Sequence, residues 1–267
     1  MYYLKIILRD IPAIALTLSK NTLNAVWLYM SLIFFLFRKK FLKSDEGSTF
    51  SFYWRQKEIS FLLNLYEGSP DVAALREIFV DHEYQWPGEL SPSLIVDLGA
   101  HTGNSAKYFH VLYPDAKIIA VEASKKNYDH LVENTKDCIT VQPINVAVLE
   151  SDRQVNFYEN ESSLGSSLLE RGDSKSAVVE GLSLNSLYQR FSLQKADLVK
   201  IDIEGAEELL FKDSPPEDFA ERYIIEVHED LMTITKQDLL DKFKTFSLIK
   251  EVAISPQRSL CYLEVKL

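Results

Sequence analysis

The chain has 267 residues, 46% of them hydrophobic and 25% charged, so it can bury one large core; a single globular domain with an extension is expected and a disordered chain is excluded. Its formal net charge of −10, with no Lys/Arg patch interleaved with aromatics in the main body, argues against a nucleic acid as partner. Cys138 and Cys261 form neither a CxxC pair nor a set with histidines at zinc spacing, which excludes a disulfide framework and a structural zinc site and points to a reducing, cytoplasmic compartment.

Residues 1–43 hold seven Lys/Arg and one acid, a net of +6 that leaves −16 for the rest of the chain. Within them "TLNAVWLYMSLIFFLF", residues 22–37, is apolar around most of a helix, and Lys20, Asn24, Ser31 and Arg38 fall on one narrow stripe. At about 1.5 Å per residue the run covers roughly 24 Å, short of the roughly 30 Å hydrocarbon core, so it is marginal as a membrane span. Its basic cluster comes after the apolar run and no small-residue cleavage site is present, unlike a secretory signal, and Arg38 to Lys43 would keep the downstream chain on the cytoplasmic face. Two readings stay open: contact with a bilayer, spanning or interfacial, and burial against the main domain or in a partner.

Residues 44–93 read as a connecting, acceptor-side region, with "KSDEGSTF" as a polar break and "FYWRQKEISFLLNLYEG" carrying a strand or short helix. From Leu94 to the end, apolar runs of four to six residues alternate with helical periods, the signature of a parallel α/β sheet with crossover helices. "SLIVDLG" is a first strand, "NSAKYFHVLY" a helix stopping at Pro114, "KIIAVEA" a second strand, and "SKKNYDHLVENTK" a helix with Ser124 as N-cap. "ITVQPINVAV" is a third strand broken by Pro143, "DLVKIDIEG" and "YIIEVHE" are strands four and five, and the segments around Pro256 form a closing hairpin.

"VDLGAHTGNS" ends a strand in a Gly-rich turn that opens a helix, where Gly99 and Gly103 would let backbone approach a ligand. The spacing is G-x-x-x-G, not the G-x-G-x-x-G of dinucleotide sites, and Asp97 would repel a pyrophosphate while accepting hydrogen bonds from a cationic or hydroxylated ligand. A tight turn with no ligand is the alternative. Glu122 ends the second strand at the separation where an acid meets ribose hydroxyls. In "VKIDIEGAE" the alternation puts Lys200, Asp202 and Glu204 on one side of a buried strand, where burial costs several kcal/mol unless Lys200 pairs with one of the acids; Gly205 then turns the chain away.

Taken together, "VDLGAHTGNSAKYF", "VEASKKNYDHLVEN", "NVAV", "LSLNSL" and above all "VKIDIEGAE" resemble the S-adenosylmethionine-dependent methyltransferases of the FkbM family, over about residues 94–230. The resemblance implies a class I methyltransferase fold: a Rossmann-like sheet of seven strands, mostly parallel with a reversed C-terminal strand, here with an N-terminal helical extension. It implies S-adenosyl-L-methionine as cofactor and, usually, O-methylation of a sugar or natural-product hydroxyl, so that a glycan, glycolipid or small-molecule acceptor is expected. By the same resemblance Asp97, Gly99 and Gly103 belong to the cofactor loop, Glu122 is the ribose acid, and Asn145 and Ala147 lie near the adenine. His101 stands in the loop where the family more often has asparagine, and Asn185 where it has aspartate, the latter touching only a helix start.

Methyl transfer to a hydroxyl needs a proton acceptor and in-line positioning. Asp202 and His228 are the two candidates for the base, His228 as a neutral imidazole, with Glu204 as a further base or orienting group and Lys200 beside them. Asp202, Glu204, Glu226 and His228 are also of metal-ligating type, but the site is read as metal-free. "SSLGSSL", residues 162–168, is a candidate lid or acceptor loop, and acceptor specificity is assigned to it and to the 44–93 region. The rival readings are a non-catalytic scaffold with the same fold and a nicotinamide oxidoreductase, the latter disfavoured by the missing middle glycine and the lack of a Tyr-x-x-x-Lys pair.

Overall fold

A computed structural model of the chain describes residues 2–43, 46–159, 175–211 and 214–266, which fall into two units, Met1–Glu83 and Tyr84–Leu267.

The first unit begins with α1 (Tyr2–Lys5), a π-helical turn (Ile6–Asp10) and α2 (Ile11–Thr17), where Pro12 occupies the first turn and its missing N–H costs no hydrogen bond. Helix α3 (Thr22–Phe41) starts at Asn21, whose side chain accepts a 2.9 Å hydrogen bond from the Asn24 amide. Its buried residues, Ala25, Leu28, Leu32, Phe35 and Leu36, recur at three- and four-residue spacing. Strands β1 (Ser48–Trp54) and β2 (Ile59–Leu65) form an antiparallel hairpin, closed with Glu58 in the left-handed region at φ 55°, and bury alternate residues such as Phe52, Trp54, Leu63 and Leu65. Helix α4 (Ser69–Leu75) comes next. The region expected to hold one strand or a short helix thus contains both strands of a hairpin and a helix. Among the described residues no helix is long and apolar enough to cross a membrane; Arg38, Lys39 and Lys40 occupy the last turn of α3.

The second unit runs β3 (Leu94–Leu98), α5 (Asn104–Leu112), β4 (Lys117–Val121), α6 (Lys125–Thr135), β5 (Val141–Ile144), β6 (Ala147–Leu149), β7 (Arg153–Glu159), β8 (Lys175–Ser183), α7 (Leu184–Arg190), β9 (Leu198–Ile201), β10 (Arg222–His228), α8 (Lys236–Leu240), β11 (Phe246–Ser255) and β12 (Arg258–Val265). Seven strands form one sheet in the order β11-β12-β10-β9-β3-β4-β5, and only β12 runs against the rest. Central strands β3 and β9 are buried along their whole length, which explains their unbroken apolar runs. Leu98, Ile201, Tyr223, Val227 and Phe243 belong to the core cluster beneath.

The expected third strand is two strands. Pro143 sits inside β5, tolerated because β5 is the sheet edge; the chain then leaves at Asn145, and β6 joins β7 and β8 in a separate three-stranded sheet that the sequence pattern does not announce. From β3 the chain steps outward through β4 to β5, then returns to the other side of β3 with β9 and β10. The strand order therefore reverses at the carboxyl ends of β3 and β9, where open α/β sheets leave a crevice.

Candidate active site

That crevice is a cleft lined by Gly99, His101, Glu122, Asn127, Asp202 and Glu204, with an apolar wall from Val146, Ala147, Val148, Phe157 and Ile203. The register places its parts side by side: Leu98 pairs with Val121 on one flank and with Ile201 on the other, so Gly99, Glu122 and Asp202 are the first residues past three adjacent strands.

Gly99 has φ +81°, and a Cβ there would lie 1.8 Å from the Asp202 carbonyl oxygen. Gly103 has φ +92° at the start of α5, and its Cβ would meet Leu131 of α6 at 2.9 Å. A Cβ at either glycine would meet neighbouring chain; Gly99 lines the cleft, while Gly103 lies outside its lining. Asp97 is fully buried below the cleft, where it accepts a 2.6 Å hydrogen bond from Ser105 Oγ and lies 3.2 Å from Lys200 Nζ. Facing an internal cation, it is not exposed to a ligand as expected.

Glu122 accepts one backbone hydrogen bond on each oxygen, from His101 at 2.9 Å and from Ser124 at 2.8 Å. Burial nevertheless pushes its pKa up to about 7. His101 holds its N–H in place with φ +50°, a left-handed conformation costly for a non-glycine residue. Asn145 donates to the Glu122 and Ala123 carbonyls at 2.8 and 3.0 Å and so braces the exit of β4, while Ala147 faces the cleft.

At the other end of the cleft lies an acidic cluster. Lys200 is buried; its Nζ donates to the Gly99 carbonyl at 2.8 Å and contacts Asp97 and Asp202 at 3.2 and 3.6 Å. Burial alone would strip its proton, but the two aspartates hold its pKa above the usual lysine range. Lys200 lies outside the residues that line the cleft. Burial also opposes charge on Asp202, yet Lys200 and then His228 outweigh it and keep that carboxyl below its usual range; Tyr84 Oη donates to Asp202 Oδ2 at 3.1 Å.

His228 is wholly buried, with Nδ1 3.0 Å from Glu207 Oε1 and Nε2 3.3 Å from Glu226 Oε1, 3.8 Å from Asp202 and 3.9 Å from Glu204. Burial would lower its pKa, but Glu207, Glu226 and Asp202 push it up to about 11. The surrounding carboxyls thus favour the protonated ring over the neutral imidazole base expected from sequence. Glu204, at φ +52°, and Gly205, at φ +97°, fold the segment back on itself after the strand has ended at Ile201. This turn, not strand alternation, brings Asp202 and Glu204 together. Burial, then Asp202, pushes Glu204 up to about 7.

Donor atoms of Asp202, Glu204 and His228 lie within 4.8 Å of one another, a metal-ligating grouping in which an ion would have to displace the imidazolium proton. Asn185 sits in the first turn of α7 and donates to Ser214 Oγ at 2.5 Å. The "SSLGSSL" loop lies outside the described residues. Sequence reasoning alone misses Tyr84, Asn127, Phe157 and Glu207. A signal for Glu207 exists, since it closes the "VKIDIEGAE" stretch; Tyr84 is 118 residues from Asp202 and carries no local signal.

The chain matches the family described as the methyltransferase FkbM domain over residues 97–246, more than half of its length. It belongs to the FkbM methyltransferase family. The description of that family names a methyltransferase domain. No curated protein matches it significantly. Among solved structures it is similar to the Methanococcus jannaschii fibrillarin pre-rRNA processing protein, at 16% identity and TM-score 0.42, over 65% of this chain and 66% of that one, just under two thirds of the latter. It is also similar to Aeropyrum pernix fibrillarin with natively bound S-adenosyl-L-methionine, at 11% identity and TM-score 0.43 over 82% and 100% of the two chains. The pyocyanin biosynthetic protein PhzM aligns at 12% identity and TM-score 0.46 over 74% and 58%.

Proposed function

We propose that the FkbM-family chain methylates a hydroxyl oxygen of a glycan, glycolipid or secondary metabolite in the cleft past β3, β4 and β9. The cofactor, when bound, supplies an electrophilic sulfonium methyl group. On this reading Glu122, its carboxyl held open by the His101 and Ser124 amides, accepts the ribose hydroxyls. Val146, Ala147, Val148 and Phe157 form an apolar wall suited to an adenine ring. The Asp202 carboxylate, ionised through Lys200 and His228, faces the cationic end and orients the acceptor.

Glu204 is then the base that takes the hydroxyl proton. The observation that carries this is the unequal pair itself: two neighbouring carboxyls in one cleft, Asp202 held below its usual range and Glu204 raised to about 7, which separates a permanent charge from a group able to gain and lose a proton. The left-handed conformation of Glu204 favours this catalytic reading over a scaffold, because such strain concentrates where a side chain must be aimed.

The test is Glu204→Gln, read by calorimetry with the cofactor and by methyl-label transfer into a hydroxyl-rich cell extract. Unchanged cofactor affinity with label transfer lowered about 10²- to 10⁴-fold is expected. A variant at full rate would remove Glu204 as base, and a wild-type protein that binds cofactor yet labels no fraction would favour the scaffold.

A further inference from the structure

The large exposed apolar side chains of the described residues are concentrated on one helix of the first unit. On α3, Leu23, Trp27, Met30, Phe34, Phe37 and Phe41 are all exposed, Leu23 at 75% and Trp27 at 73%. Their spacing alternates between four and three residues, so at 3.6 residues per turn they lie within an arc of about 80°. Ala25, Leu28, Leu32, Phe35 and Leu36, which are buried, occupy the opposite side of the same helix. Apolar burial within the unit therefore accounts for one face only. The helical stretch before it adds exposed Leu4, Leu8 and Leu16.

Charge decides what covers the second face. No Asp or Glu occurs between Asp10 and Asp45, whereas Lys20 precedes the stripe and Lys40 and Lys43 border its end, all three exposed. Lys40 Nζ lies over the Phe41 ring at 5.5 Å and over that of Tyr3 at 4.0 Å, a cation beside the apolar stripe. A second copy of α3 would find the same three-four seam but no acid to meet these lysines, and would set cation against cation. An anionic phospholipid surface supplies the missing charge. An in-plane seat also accommodates the aromatic content, since Trp and Phe lie at the boundary between headgroup and acyl chain.

We infer that the α3 stripe seats the protein on the surface of an anionic phospholipid bilayer, lying in its plane without crossing it. The inference is independent of the methyl-transfer reading and its failure leaves that reading untouched.

The full chain is mixed with vesicles of phosphatidylcholine alone or with about 30% phosphatidylserine and sedimented. Binding to the anionic vesicles is expected, at least tenfold stronger than to neutral ones and reduced by high salt, with a blue shift of Trp27 emission. The variant Trp27→Ser, Phe34→Ser, Phe37→Ser, whose changes fall on exposed positions, is expected to lose this binding at least tenfold with unchanged cofactor affinity. Lys40→Glu with Lys43→Glu should abolish the preference for anionic lipid without touching the apolar face. Absence of sedimentation with anionic vesicles, equal binding by the triple variant, a lipid-free dimer that the triple variant dissolves, or retention in native membranes through alkaline extraction would each overturn the inference.

Discussion

Glu122 is buried at the base of the cleft with its carboxyl raised to about 7, although two backbone amides point at it. On the proposed reading ribose hydroxyls donate to it and stabilise its ionised form, so cofactor affinity should rise with pH up to about 7 and level off above, by as much as tenfold per unit below that value. Titration calorimetry across this range measures it. Glu122→Ala should weaken the cofactor by about 1 to 3 kcal/mol, roughly 5- to 150-fold, and flatten the pH dependence. Lys200 presents the complementary case of a buried charge held by internal partners, Asp97, Asp202 and the Gly99 carbonyl. Lys200→Met would leave Asp97 without its cation in a fully buried position, a loss of about 3 to 5 kcal/mol in urea unfolding that should exceed any effect on acceptor binding.

At the scale of the element, the turn after β3 packs directly against the chain that follows β9. A methyl group at Gly99 would meet the Asp202 backbone at 1.8 Å, and backbone cannot swing aside as a side chain can. Gly99→Ala should therefore destabilise the protein by at least about 2 kcal/mol and weaken cofactor binding, because the shift that relieves the clash moves Asp202. The first contact of a Cβ at Gly103 is the end of the Leu131 side chain, at 2.9 Å, which can rotate, so Gly103→Ala should cost only about 1 to 2 kcal/mol, set mainly by its positive φ. Comparing the two denaturation midpoints checks the argument. Much of this region was legible in the sequence: apolar runs marked β3, β4, β9 and β10, and the glycines marked the turn between β3 and α5. The separate β6-β7-β8 sheet was not, because a short apolar run past Pro143 reads the same whether it continues one sheet or joins another.

For the whole molecule, stability should depend on pH in a direction that runs against simple acid denaturation. Glu122 and Glu204, raised from 4.5 to about 7, hold protons in the folded state that the unfolded chain releases, so their contribution is complete below 4.5 and lost as pH climbs to about 7. His228, raised from 6.5 to about 11, contributes fully below 6.5 and loses that contribution between 6.5 and 11. Asp202, lowered from 3.8, contributes above 3.8 and ceases to as pH falls through its folded value. The melting temperature of the cofactor-free protein is thus expected to peak between about pH 4 and 6 and to fall steadily toward pH 9. A maximum above pH 8 would contradict these assignments.

The amino-acid sequence by itself determined the class of fold, the parallel α/β order, the glycine turn after β3, and that the acids Glu122, Asp202 and Glu204 follow strand ends, because strand periodicity and glycine turns are local properties that survive in one dimension. Tertiary structure alone decided what those acids are. Glu207 and Glu226 converge on His228 and favour its protonated form, Lys200 chooses Asp97 and Asp202 over Glu204, and Tyr84 arrives from 118 residues away. Protonation depends on burial and on which charges lie within a few ångströms, and neither quantity is defined until the chain has folded.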